Sequence, residues 1–152
     1  MIIRQQIDYN LAPIVYNSVY NSNDYYDYIK LNMPDVDTNA YLAFISVNDS
    51  VNYLDNMFSI GTTDVRLISE DEYDYFLDRD YRENKWSIFY DKYPNSNGLI
   101  ELSRIGFNHD FNQAILEIWH SVGKTGSKGI IYFLTKTDDI WIVIDTRETR
   151  RN

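Results

Sequence analysis

The sequence contains no cysteine, so disulfide bonds and thiolate metal sites are excluded. It has only two histidines and no H-E-x-x-H pattern, which leaves carboxylates as the remaining metal ligands. The acidic segment SEDEYDYFLDRD, residues 69–80, lacks the D-x-[DN]-x-[DN]-G order of a calcium loop. A solvated helix face explains it better. We therefore predict neither a metal site nor a cofactor.

Long apolar runs are also absent. No stretch approaches the roughly 18 apolar residues of a transmembrane helix. The opening MIIRQQIDYN lacks the apolar run of about seven or more residues that a signal peptide needs. Together with the lack of cysteine, which suits a reducing compartment, these features predict a cytoplasmic protein.

Positive charge is scarce, with 14 Lys and Arg against 23 Asp and Glu and a formal net charge of -9. Such a surface repels nucleic acid phosphates and anionic membranes, so neither is an expected partner. The charge suits a basic protein partner, although it also simply keeps a protein in solution. The oligomeric state is left open.

Length and apolar spacing predict a single α+β domain over residues 1–152, because 152 residues is the size of one domain. A mainly helical N-terminal part, about residues 11–98, would pack on a sheet of about residues 99–147. Asp37 or Thr38 is the expected cap of one helix, and Ser69 with Glu72 forms the capping box of another. The polar residues Asn48-Asp49-Ser50 leave open whether the region after this first cap is one helix or two. The candidates for its buried face are Leu42, Ile45, Val51, Leu54 and Phe58.

A further helix is predicted over residues 83–93, ENKWSIFYDKY, with Pro94 ending it. Its aromatic residues recur at intervals of three and four and therefore share one face: Trp86, Phe89, Tyr90 and Tyr93. Such a stripe is more often core than a binding site. We expect Trp86 and Phe89 to be buried against the sheet.

Four strand-like runs rich in Ile, Val, Phe and Trp follow at residues 99–107, 113–122, 128–136 and 140–147. The links between them are too short for parallel crossovers, so we predict a four-stranded antiparallel meander. Its helix-facing side would carry two sets of alternating apolar residues: Ala114, Leu116 and Ile118, and Ile140, Ile142 and Ile144.

The segment SVGKTGSKG, residues 121–129, ends like a phosphate-binding loop at Gly123-Lys124-Thr125. A P-loop has an earlier glycine, which here would fall at Ile118, and it leads into a helix whose N-terminus binds the phosphates. A strand-like run follows instead, so a glycine-rich hairpin turn is the better interpretation.

The segments WSIFYDKYPNSNGLIELSRIGFN and QAILEIWHSVGKTGSKGIIYFLTKTDDIWIVI resemble a family of small, uncharacterised bacterial proteins. Its shared features are a W-x-x-F-Y-x-x-Y-P-x-S-x-G segment, an S-R-[VI]-G-F-N segment, a glutamine-alanine strand and a closing hairpin with tryptophan. With LISEDEYDYF upstream, the resemblance covers roughly residues 14–146. No activity is established for this family, so it implies no catalytic residues. The matching positions are Trp86, Phe89, Tyr90, Pro94, Gly98, Ser103, Arg104, Gly106, Phe107, Asn108, Gln113, Ala114 and Trp141.

Candidate chemistry is limited to residues near the strand ends. The residue types of a catalytic triad are present in Ser103, His109, Asp110 and His120. Their spacing does not show that these side chains meet at one site, and no G-x-S-x-G motif is present. A structural position explains each histidine equally well, because His109 falls in a predicted turn and His120 near the end of a predicted strand. Arg104 lies in an apolar strand, where it would hold a buried salt bridge or bind an anion.

Tyrosine is abundant, with 14 copies and a local cluster at Tyr25, Tyr26 and Tyr28. The total is explained by codon bias, whereas the cluster is a candidate binding surface. Our leading functional prediction is a non-enzymatic module that binds another protein, with a toxin-neutralising immunity protein as its sharper form. Its candidate binding residues are Arg104, His109, His120, Tyr25, Tyr26 and Tyr28. The alternative is a small-molecule binder or enzyme with its site in a cleft between helices and sheet.

Overall fold

The computed structural model describes residues 4–5, 29–48, 66–77, 85–123 and 125–149, and every structural statement below concerns those residues. The helices are α1 (Thr38–Val47), α2 (Glu70–Leu77) and α3 (Lys85–Lys92), and residues 29–32 are also helical. The strands are β1 (Arg4–Gln5), β2 (Arg66–Leu67), β3 (Leu99–Leu102), β4 (Gly106–Phe107), β5 (Gln113–Ser121), β6 (Ser127–Thr137) and β7 (Ile140–Thr149).

The main element is a five-stranded antiparallel sheet in the order β3-β5-β6-β7, with β4 also paired to β5. Strands β1 and β2 form a separate parallel pair, in which Arg4 lies opposite Arg66. The predicted α+β fold with a mainly helical N-terminal part is therefore wrong. The described chain is mostly sheet, and α1, α2 and α3 have only 8–10 residues each. Residues 65–68, VRLI, read as a short extended segment in the sequence, and Arg66–Leu67 of that segment form β2.

The prediction of one strand over residues 99–107 is also wrong, because β3 ends at Leu102 and β4 begins at Gly106. The side chain of Asn48, which caps the C-terminus of α1, accepts a hydrogen bond from the Arg104 N–H at 2.8 Å and donates one to its carbonyl at 3.1 Å. Since these bonds occupy both backbone groups of Arg104, the sheet ladder is interrupted there.

Helix starts follow the predicted caps. Asp37 precedes α1 and accepts a hydrogen bond from the Asn39 N–H at 2.8 Å. Before α2, the Ser69 hydroxyl accepts from the Glu72 N–H at 3.2 Å, and the Glu72 carboxylate accepts from the Ser69 N–H at 3.4 Å. These reciprocal bonds are the predicted capping box.

Contacts divide the chain into two compact units. The first comprises Met1–Val15, Asn52–Glu101 and Trp119–Lys128. Its core is aromatic and consists of Ile68, Phe76, Trp86, Phe89, Tyr93 and Leu99. The Phe89 ring meets those of Phe76, Trp86 and Tyr93 edge-on at 5.1–5.3 Å. The predicted burial of Trp86 and Phe89 is confirmed, and Leu99 of β3 shares their core.

The second unit comprises Tyr16–Val51, Leu102–Ile118 and Gly129–Asn152. Its core joins one face of β5 and β6 to α1 and the helical residues before it, and consists of Ile29, Met33, Ala40, Tyr41, Phe44, Ile115, Ile131 and Phe133. Gly106 lies so close to Phe44 that a Cβ there would meet the helix backbone.

The predicted helix-facing side of the sheet is wrong. On β5 Ala114 is buried, but Ile115 and Glu117 carry the buried face from there, while the predicted Leu116 and Ile118 are only partly buried. Ile140, Ile142 and Ile144 of β7, expected to meet the helices, are 65%, 46% and 53% exposed. In α1 the buried residues are Ala40, Tyr41 and Phe44, whereas Leu42 is 54% exposed. Because Tyr41 and Ala40 are one and two residues before Leu42, the inward face is rotated from the predicted one, although Ile45 does pack against the core as predicted. The other predicted residues, Val51, Leu54 and Phe58, lie outside the described residues.

Candidate interaction surface

A polar network in the second unit fixes the turn between β4 and β5. The buried Asn108 side chain donates to Asp37 Oδ2 at 3.2 Å and to Asn112 Oδ1 at 2.8 Å. Its own oxygen accepts the N–H groups of Asn112 and Gln113, each at 3.0 Å. The Gln113 side chain in turn accepts the Asp37 N–H at 2.7 Å. This network ties the turn to the start of α1.

The Asp37 carboxylate is the ionised centre of that network. The backbone hydrogen bond from Asn39, followed by the side-chain hydrogen bond from Asn108, lowers the pKa of Asp37 below its usual value. His109, on the same turn, acts on it electrostatically in the same direction. The network therefore favours the charged form of Asp37 and holds the turn through it.

The fixed turn presents an aromatic cluster, which we define as Phe107, Phe111 and Trp141. The ring of Phe107 stacks on that of Phe111 at 5.5 Å and lies 5.5 Å from that of Trp141. Phe111 is 64% exposed and has a φ of 53°, which is uncommon for a bulky residue. The turn thus holds a large aromatic side chain at the surface at a cost in backbone strain.

Strand β7 continues the apolar surface. We call its residues Ile140–Ile144 the apolar edge, because β7 is the last strand in the sheet order and, among the described strands, only β6 pairs with it. All five apolar-edge side chains are exposed, by 36–65%. A register shift between Phe133 and Leu134, which lie opposite Asp145 and Val143, leaves Ile144 as an extra residue on β7.

Carboxylates surround the tip of the β6–β7 hairpin. Asp138 and Asp139 form the turn with φ values of 50° and 63°, which carboxylate residues tolerate, and both are exposed. Lys136 pairs with Asp139 at 2.7 Å and lowers the pKa of that carboxyl. A further exposed carboxylate, Asp110, lies on the β4–β5 turn. This turn is joined to β6 by a hydrogen bond from the Lys136 N–H to the Asn112 carbonyl at 2.8 Å. The hairpin tip therefore carries a net negative charge.

Arg104, a predicted binding residue, is exposed and sits between β3 and β4. Its guanidinium donates to the Val47 carbonyl at 2.9 Å, in the last turn of α1. A cation at this position satisfies a terminal carbonyl and complements the helix dipole. The described geometry gives Arg104 a helix-capping role, in place of the buried salt bridge considered from sequence.

The two histidines lie in different units and have different surroundings. His109 is exposed on the β4–β5 turn, near Asp37. His120 is partly buried on β5, and its Nε2 lies 2.7 Å from the Asn97 carbonyl. Within the second unit, Arg104 bonds to the Val47 carbonyl, whereas His109 lies near Asp37. The remaining predicted residues, Tyr25, Tyr26 and Tyr28, lie outside the described residues.

The family-like motif residues have structural roles where the structure describes them. In the first unit, Ser96 Oγ bonds both the N–H and the carbonyl of Gly98, at 3.1 and 2.8 Å, and the Tyr90 hydroxyl donates to the Val122 carbonyl at 3.0 Å. Gly98 has a φ of 112°, a conformation that requires glycine. Neither motif segment converges on a catalytic arrangement of described side chains.

The sequence prediction misses the apolar edge because it assigns Ile140, Ile142 and Ile144 to the helix-facing side of the sheet. One signal was available. The run is apolar at five consecutive positions and therefore on both strand faces, whereas a strand with one face in the core needs apolar residues only at alternate positions.

Comparisons of the chain with protein-family models, with curated proteins and with solved structures found no match. In the described ranges, no helix is long and apolar enough to cross a membrane. Those ranges also contain no group of three or more His, Asp or Glu residues placed to hold a metal ion.

Proposed function

We propose that this chain is a non-enzymatic, cytoplasmic module that binds another protein through the apolar edge and the neighbouring aromatic cluster. The observation that carries the proposal is the exposure of five consecutive apolar side chains, Ile140–Ile144, on a strand at the rim of the sheet. Contiguous exposed apolar surface rimmed by polar groups is typical of protein interaction sites.

The aromatic cluster adds to this surface. Trp141 belongs to the apolar edge and also contacts Phe107, so the two features are continuous. Tryptophan and other aromatic side chains supply much of the binding energy in protein interfaces. The strained φ of Phe111 keeps one such side chain at the surface, which is the behaviour expected of a binding residue.

Two finer statements belong to the same proposal. The chain would be a member of the uncharacterised bacterial family whose motifs it carries, with those motifs maintaining the fold. Its partner would be a basic protein, and a toxin neutralised by this module fits the small size and the net charge of -9. Co-expression of the chain with a candidate toxin, scored by cell growth, tests that version.

Affinity capture from the source organism tests the proposal, using the wild-type chain and two lysine variants as bait. Ile142→Lys places a charge on the apolar edge, where Ile142 is 46% exposed. Ile88→Lys makes the same change on α3, where Ile88 is 42% exposed, and serves as the matched control.

A partner retained by the wild type and by Ile88→Lys, and reduced about tenfold or more by Ile142→Lys, supports the proposal, since a charge in a desolvated interface centre is costly. A partner captured equally by all three baits binds elsewhere and contradicts it. Reproducible absence of any enriched protein also contradicts it.

A further inference from the structure

Resting on the proposed function, we propose that the partner contributes an extended, lysine- or arginine-flanked strand that pairs with the free side of β7 and extends the sheet. The inference concerns the form and the charge of the partner. It depends on the backbone of β7, the two-sided exposure of the apolar edge and the acidic hairpin tip.

The first argument concerns the side of β7 that faces away from β6. Among the described strands β7 pairs only with β6, in an antiparallel register from Gly129 opposite Thr149 to Thr137 opposite Ile140. In a strand, alternate N–H and C=O groups face the two sides, so half of the β7 backbone groups face away from β6. Such an edge is a ready template for an added strand.

The exposure pattern distinguishes a strand from other partners. Neighbouring side chains of a strand point to opposite faces, so Trp141 and Val143 lie on one face and Ile142 on the other. Both sets are exposed, by 36–49%. A helix or a flat surface docked on one face would leave the other set in water. An added strand continues the sheet and contacts both sets at once.

Charge determines the flanks of that strand. Asp138 and Asp139 are exposed at the hairpin tip and Asp110 on the β4–β5 turn, whereas Lys136 already pairs with Asp139. A basic residue entering beside the tip would meet carboxylates at short range, and the net charge of -9 would speed its approach.

Pairing with a second copy is less favourable in the register that places the apolar edge on itself. There, Ile142 would lie opposite its own copy, and Asp139 would lie opposite the second copy's Asp145. Each of these carboxylates is already paired within its own chain, with Lys136 or Arg147, so the second copy offers neither of them a basic partner. Two chains each with a net charge of -9 also repel one another. We therefore assign the free side of β7 to a different, basic chain.

A labelled synthetic peptide tests the assignment by fluorescence anisotropy. Its core is five alternating valine and threonine residues, with two lysines at each end. One control peptide has glutamate in place of each lysine, and another has proline at the central position. We expect the lysine peptide to bind at least about tenfold more tightly than the glutamate peptide, and the proline peptide to lose binding, because proline cannot donate to the ladder.

Three variants separate strand pairing from general attraction between the peptide and an acidic protein. Ile142→Lys and Ile88→Lys change the net charge equally, so a purely electrostatic complex would weaken equally in both. We expect loss of binding in Ile142→Lys alone. Asp138→Asn keeps a residue that tolerates the turn geometry and removes one negative charge. We expect this variant to reduce the difference in affinity between the lysine peptide and the glutamate peptide.

The inference is overturned if the lysine peptide does not bind, if the proline peptide binds as well, or if both lysine variants lose binding equally. Sedimentation equilibrium supplies a further outcome: a wild-type dimer abolished by Ile142→Lys would make a second copy the occupant of β7. Failure of the peptides while the captured partner still depends on Ile142 would overturn the strand inference alone. Failure of both would overturn the proposed function as well.

Discussion

A single glycine, Gly106, lies where helix and sheet approach closely in the second unit. A Cβ on Gly106 would lie closer than 3.0 Å to the backbone nitrogen and Cα of Phe44 in α1. Because the obstacle is backbone, a flexible side chain cannot move aside to make room. We expect Gly106→Ala to destabilise the protein by about 1–3 kcal/mol, measured by urea denaturation.

Gly123→Ala is the control for Gly106→Ala. A Cβ at Gly123 would meet nothing within 4 Å, so this variant should stay within about 0.5 kcal/mol of the parent. Equal effects of the two substitutions would show that the loss of glycine flexibility, and not the contact with Phe44, determines stability at both positions.

Trp86 tests whether the aromatic residues of α3 are core. Trp86 is 8% exposed, and its ring lies 5.1 Å from the fully buried Phe89. Removing a large buried ring leaves a cavity, so Trp86→Ala should cost about 3–5 kcal/mol and clearly lower the Tm, measured by calorimetry. Ile88→Ala, at a 42% exposed position of the same helix, should change the Tm far less. A Trp86→Ala variant with the parent's stability but without partner binding would make the stripe a binding surface.

At the level of elements, the sequence was sufficient where the physics is local. The cap at Asp37, the Ser69–Glu72 box and the aromatic face of α3 each depend on residues within about one helical turn, and all three are present. These signals do not reveal what packs against the helix. Sequence spacing therefore predicted the starts of α1 and α2 correctly but not the fold class.

The errors involve long-range contacts. The break between β3 and β4 is made by Asn48, 56 residues from Arg104 in sequence. The inward face of the sheet depends on which residues α1 covers, and alternation in an apolar run does not distinguish its two faces. The predicted site residues also depend on contacts that are distant in sequence. Arg104 was singled out for its charge in an apolar strand, but the group it contacts, the Val47 carbonyl, is set by the tertiary fold.

The cap of α1 should make stability depend on pH. The hydrogen bond from the Asn39 backbone N–H, followed by the one from the Asn108 side chain, lowers the pKa of Asp37 from its ordinary 3.8. The folded state therefore favours the carboxylate more than the unfolded state does. This contribution is complete above the unfolded pKa and is lost as pH falls through the folded one. Asn is also a good cap, so Asp37→Asn should remove this acid dependence, with some loss of stability at neutral pH because its amide nitrogen cannot accept the hydrogen bond from Asn108. Asp37→Ala loses both acceptor oxygens and should lower stability at neutral pH further.

Thermal unfolding of these variants between pH 6 and pH 2 measures the effect of Asp37. Asp35→Asn, at an exposed position two residues earlier, is the control and should follow the parent's pH profile. If Asp37→Asn loses stability in acid in parallel with the parent, another carboxyl group is responsible for the acid transition.

For the whole molecule, net charge and the apolar edge have opposite effects on association. A net charge of -9 keeps copies apart, while the exposed residues of β7 favour contact. The molecule therefore combines an apolar edge with a net charge that opposes self-association.

Hydrogen exchange in the free protein should show that one side of β7 is paired with β6 while the other is open to water. Strands β5 and β6 each have neighbours on both sides and contribute the fully buried Ile115 and Ile131, so their amides should exchange slowest. In β7 we expect alternation, since amides bonded to β6 are protected and those facing away are open to water. Amide exchange measured by NMR resolves the two classes residue by residue, and the lysine-flanked peptide should slow only the open class. Uniformly slow exchange along Ile140–Ile144 without peptide would mean that the apolar edge is already covered, and it would then be unavailable to a partner.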